Sequence, residues 1–146
     1  MLPMNRRLRR SLVLLSLLLA LGCHGNGRSP SETGGDVISL LSLEPSSSTV
    51  LSRGAVVHFT ARLRCVLAQG NGGHVTANAF SPENGPVVLS PIFPSTPLTG
   101  AGGDATLAFD LTVPAQQGGT VVVAFGLFRQ GQTDTSTTYT VLYQVP

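Results

Sequence analysis

The chain has 146 residues, room for one domain of ordinary size. Gly, Pro, Ser, Thr and Val are abundant, only 11% of residues are charged, and Trp and Lys are absent; this is too apolar for a disordered chain and too poor in helix formers for a bundle. The formal charge of +2 misleads, because four of the nine arginines fall within the first ten residues, and behind Cys23 five arginines against seven carboxylates leave −2. That balance excludes the clustered cations on which nucleic-acid binding depends.

The first element is the basic cluster "NRRLRR" followed by "SLVLLSLLLALGCHG", Ser11 to Gly25. Its uncharged run is well short of the roughly 20 apolar residues that span a bilayer. As a core helix it would be apolar all round, with no second helix to pack on. A basic n-region, a short Leu-rich h-region and small residues at a cut site make residues 1–22 a cleaved, helical export signal. Within it "LALGC" (Leu19 to Cys23) resembles the lipobox of bacterial lipoprotein signal peptides, with Ala20 standing where leucine is commoner. The resemblance implies cleavage between Gly22 and Cys23, a diacylglyceryl thioether on the Cys23 sulfur, and a palmitate-type acyl chain on its new amino group. Two or three such chains anchor firmly where one holds marginally. The competing reading is ordinary secretion, with Cys23 incidental.

Residues 23–35 read as a flexible tether: "HGNGRSPSETGG" has no large apolar side chain. About a dozen such residues span roughly 20 Å, enough to clear lipid headgroups. His24, rather than Asp, follows Cys23; in the lipoproteins this leader resembles, that implies the outer membrane of the cell envelope over the inner one.

From 36 to 146 the pattern is period two, broken by turn residues. "GAVVHFTARLRCVL" puts Val57, Phe59, Ala61, Leu63, Cys65 and Leu67 on one face and His58, Thr60, Arg62 and Arg64 on the other. "DATLAFDLTVP", "GTVVVAFGLF" and "STTYTVLYQV" alternate likewise, and "DVISLLSL", "GHVTANAF" and "GPVVLSP" are shorter candidates. Seven one-sided strands in about 110 residues predict an all-β, antiparallel sandwich. The order, with "LEPSSSTVLSRGAVVHFTARL" supplying a first strand, a Pro-containing kink and a long second strand, resembles immunoglobulin-like or fibronectin-type-III-like domains. A jelly roll or small barrel is the alternative. The Pro-rich stretch 81–97 belongs on an edge or in a crossover between sheets.

Candidate chemistry is sparse. "GNGG" (Gly70 to Gly73) lacks the Lys-Ser/Thr ending and following helix of a phosphate loop, so it reads as a hairpin turn. No G-x-S-x-G elbow is present. His58 and Cys65 are seven positions apart and point to opposite faces of a strand, while His74 opens a strand expected in the other sheet, so no metal site is expected. The loop carboxylates Asp36, Glu83, Asp104 and Asp134 form no D-x-D cluster and read as solvated surface acids. With Cys23 acylated, Cys65 has no disulfide partner; it reads as a buried small hydrophobe, against the alternative of an exposed thiol used in dimerisation. His58, Arg62 and Arg64 could grip an anionic glycan or acidic partner, but a solvated strand face is the simpler reading. The last strand, ending near Pro146, is a candidate edge open to strand addition.

These readings converge on a non-catalytic, lipid-anchored envelope protein, not an enzyme and without a cofactor. Its partners would be the membrane, through the lipid, and an envelope protein, through the sandwich; no nucleic acid is expected. The alternative is a ligand-binding module of the carbohydrate type that uses segment 81–97.

Overall fold

The computed structural model describes residues 35–116 and 118–146. The leader, Gly22, Cys23 and the tether up to residue 34 lie outside the described residues. The described residues form nine strands: β1 (Val37–Glu44), β2 (Val56–Val66), β3 (Gly73–Ser81), β4 (Gly85–Pro86), β5 (Val88–Ser90), β6 (Ser95–Leu98), β7 (Gly102–Thr112), β8 (Gly119–Arg129) and β9 (Thr137–Val145). All pairings are antiparallel. One sheet runs β1-β2-β7-β5; the other runs β4-β3-β8-β9, with β6 also on β3. The inner faces of the two sheets share one apolar core, a sandwich arrangement.

The alternation along β2 and β7 explains their pairing, which runs unbroken from Val56↔Thr112 to Val66↔Gly102. Phe59 sits directly across from Phe109, their rings stacked at 5.3 Å. Tyr143 of β9 meets Phe59 edge-on at 5.3 Å from the opposite sheet. Offset stacking within a sheet and edge-on contact between sheets both suit the ring quadrupole. The Tyr143 hydroxyl keeps a partner despite burial, donating to the Pro45 carbonyl at 2.7 Å. Burial and, secondarily, the charge of Glu44 push its phenol up to about 12. Cys65, 1% exposed, lies in this core, as its place on the apolar face of β2 predicts, and burial raises its thiol.

β1 obeys period two only with an interruption. Ile38 and Leu43 are both buried and Leu40 packs on the core, yet 38 and 43 have opposite parity. The register jumps between Leu40↔Leu63 and Ser42↔Arg62, so Leu41 is the extra residue of a bulge and stands 47% exposed. The bulge returns Leu43 to the inner face, which a regular strand would deny it.

The Pro-rich stretch is divided between the sheets. β5 edges the first sheet on β7, whereas β4 and β6 share the free edge of β3, pairing at Phe80–Ser81 and Gly73–Thr76 respectively. Where the sequence suggests one strand in "GPVVLSP" there are thus two short ones, and β6 is a strand the sequence reading did not include, so the seven expected strands are nine. At the turn into β7, Gly102 adopts φ +97°, and a Cβ there would lie 2.4 Å from the Cys65 carbonyl oxygen. Only glycine fits that approach.

Candidate functional site

The cationic stripe on β2 faces carboxylates on β7. His58 Nδ1 lies 2.7 Å from Asp110 Oδ1. The Arg64 Nε and Nη2 groups donate to the two oxygens of Asp104 at 2.8 and 3.3 Å. Arg62 pairs in register with the uncharged Thr106 and Ser42. On this stripe His58 and Arg64 are therefore each engaged by a cross-strand carboxylate, the second as an exposed ion pair. His58 and Cys65 lie on opposite faces of β2, the first exposed and the second buried, as their spacing predicts.

Asp36 departs from the sequence reading. It is not a solvated acid: its side chain is 1% exposed and lies 2.7 Å from the half-buried Arg129 Nε. Arg129 Nη2 donates at 3.2 Å and the Ala68 amide at 2.9 Å to its Oδ1. The Arg129 hydrogen bond is the largest of the influences that hold this carboxyl at about 2. This pair ties the residue just before β1 to the ends of β2 and β8. Glu83 is likewise engaged, accepting from the Ser81 hydroxyl at 3.0 Å and the Thr120 amide at 3.2 Å. Asp134 is exposed.

Gly70–Gly73 is not the hairpin turn that its glycines suggest: it carries the chain from β2 in one sheet to β3 in the other, with Gly70 and Gly72 at positive φ. Beside it, a hollow of about 470 Å³ is lined by Asn71, His74, Pro97, Leu98 and Gln130 with neighbouring glycines, and His74 stacks on Phe128 at 4.9 Å. Backbone carbonyls and amide side chains dominate this end of the sandwich, the end at which the chain enters through Asp36.

A different surface lies along one side. β1 and β9 each end their sheet, and between them runs a groove of about 520 Å³ lined by Leu40, Leu43, Ser46, Ser47, Tyr139, Thr140, Val141 and Leu142. None of these carries a charge. Segment 135–146 also lacks any charged side chain, whereas edge strands are ordinarily guarded by charges or proline. The backbone groups of Thr138, Thr140 and Leu142 point away from β8. This follows from the β8–β9 register together with the bond from the Leu51 amide to the Gln144 carbonyl, which occupies the same outward line at 2.9 Å. β9 is thus the edge strand that the sequence suggested. The sequence did not reveal the groove beside it, because Leu40 and Tyr139 are about a hundred residues apart and meet only in the fold.

On the opposite side, between β5 and β6, Pro91–Pro94 form a turn that bears Ile92 and Phe93. These are 75% and 71% exposed, the highest values among large apolar side chains of the described residues. Phe93 has φ +56°, a left-handed conformation that costs a side-chain-bearing residue roughly 1–2 kcal/mol.

No family model matches this chain, and no curated protein matches it. Among solved structures, similarity was found to a family 123 glycoside hydrolase from Clostridium perfringens, at 11% identity and a TM-score of 0.35. The match covers 66% of this chain and 21% of that one; a likeness of that size carries no argument about activity.

Proposed function

We propose that the chain is an exported, non-catalytic lipoprotein of the bacterial envelope, held by acyl chains on Cys23 and presenting an immunoglobulin-like sandwich to other proteins. The lipobox-like leader supports the anchor. The strand order supports the immunoglobulin-like assignment: β1-β2-β7-β5 matches the A-B-E-D sheet, and β3-β8-β9 matches C-F-G. The observation that carries the contact role is the uncharged groove between β1 and β9, flanked by an unguarded edge.

Two measurements test this reading. A photo-crosslinking residue at Leu142, with Arg62 as the control position, should capture protein in intact envelopes from the first position and not from the second; equal capture overturns the contact surface. Cys23→Ser should abolish palmitate labelling and processing. A variant processed and membrane-bound like the wild type overturns the anchor.

A further inference from the structure

We infer that the groove between β1 and β9 is filled by a second copy of this chain, through its Ile92–Phe93 turn, in a head-to-tail array. The inference rests on the contact-surface reading above and names its occupant.

Turn and groove lie on opposite sides of the sandwich. β1 and β9 end the two sheets on one side; β5, β4 and β6 end them on the other. They also lie at the same level along the strands. The Pro94 carbonyl accepts from the Ala77 amide at 3.1 Å, Ala77 pairs with Phe125, and Phe125 pairs with Tyr139 at the groove. One cross-strand row therefore runs from the turn to the groove. A shift along that row, with no reversal of strand direction, brings the turn of one copy to the groove of the next.

The chemistry matches as well. Groove lining and turn both lack charge, so docking strips water from no ion. The groove has the volume of a site for a drug-sized molecule, which admits a phenyl ring and a sec-butyl group. The turn is held at both ends: Ser90 pairs with Asp110 in one sheet, and Pro94 bonds to β3 in the other. An apolar protrusion so fixed loses little freedom on docking.

The proposed anchor also argues against a two-fold dimer. Placing two β9 edges side by side in antiparallel fashion turns the Asp36 ends of the two copies in opposite directions, away from a shared anchoring surface. The head-to-tail contact keeps those ends aligned. Such a contact is heterologous, so it propagates until it closes or is capped. Tethering to one surface raises the effective concentration of copies.

The test uses the full chain in envelope membranes with a short photoreactive crosslinker, since the chain has no lysine. The wild type should give a ladder. The turn variant Ile92→Asp/Phe93→Asp and the groove variant Thr140→Arg/Leu142→Arg should each reduce the ladder at least ten-fold. All four positions are exposed, and Cys65 shielded from thiol reagents shows that each variant has folded. Co-expression of the two variants should restore a dimer and nothing larger, because one intact turn meets one intact groove. A monomeric wild type, a ladder persisting in either variant, or failure of the mixture to form dimers overturns the second-copy occupant. If Leu142 still captures a different protein, the contact-surface reading survives; if it captures nothing, both fall.

Discussion

Replacing Asp36 with Asn keeps the shape of the side chain and an acceptor for the Ala68 amide but removes the charge that faces Arg129. The native carboxyl titrates at about 2 instead of 3.8, which at ~1.4 kcal/mol per unit corresponds to about 2 kcal/mol of stability. The sign follows from a lowered folded-state value: the contribution is complete above the unfolded value and is lost as the pH falls through about 2. Asp36→Asn should therefore be about 2 kcal/mol less stable than wild type at pH 7 in urea melts. The gap should narrow below pH 4 and be mostly lost by pH 2, where about half of the native carboxyl is protonated too. Arg129→Gln should cost more at pH 7, towards the roughly 3–5 kcal/mol of a severed buried pair, because it strands a carboxylate that is 1% exposed, whereas Asn strands an arginine still 35% open to water. A wild-type-minus-Asn gap that stays constant from pH 7 to pH 2 would falsify the assignment of this stability to the ionised pair.

Tyr143→Phe should lose about 1–2 kcal/mol in urea melts, the cost of leaving the Pro45 carbonyl without its donor, and the wild-type Tyr143 phenolate signal should appear near pH 12 in ultraviolet titration. Deleting Leu41 should leave a cooperative fold within about 1 kcal/mol of wild type, since it removes a bulge and preserves the inward faces of Ile38, Leu40 and Leu43; deleting Arg62 from the unbroken β2–β7 ladder should abolish folding by circular dichroism. Gly102→Ala should destabilise by about 2 kcal/mol or more, because both its φ and the Cys65 carbonyl oppose a Cβ. Native Cys65 should react with thiol reagents only after denaturation.

Much of the sandwich was legible because a half-buried strand writes its facing into the sequence. Phe59, Ala61, Leu63 and Cys65 had to share a face, as did Leu107, Phe109 and Leu111, and all are buried. What period two cannot convey is which residue lies opposite which. His58 and Arg64 looked like free cations because their partners, Asp110 and Asp104, are 52 and 40 residues away. Asp36 looked solvated because it stands beside glycines, and its burial depends on Arg129, 93 residues on. In "DVISLLSL" the two parities of Ile38 and Leu43 conflict, and only pairing with β2 shows that one residue is extra. The groove was invisible for the same reason, since its walls come from the first and last strands.

The distribution of polarity over the surface sharpens the proposed role. The broad outer face of the first sheet carries the His58–Asp110 hydrogen bond and the Arg64–Asp104 ion pair, and the end where the chain enters carries amides, glycines and the Asp36–Arg129 pair. Both environments are satisfied by water and by their own partners. The two sides differ, one presenting an uncharged groove and the other a strained, exposed Phe93. Exposed apolar surface is costly to keep in water unless something covers it, and here the two most exposed large apolar side chains of the described residues form a protrusion level with the uncharged recess. Under the proposed lipid anchor, a domain tethered at one end would meet its neighbours on the same membrane through its sides. The groove lies on one of those sides and the Ile92–Phe93 turn on the other, so in the proposed anchored state covering the groove should matter most where copies are crowded on a membrane and least in dilute solution.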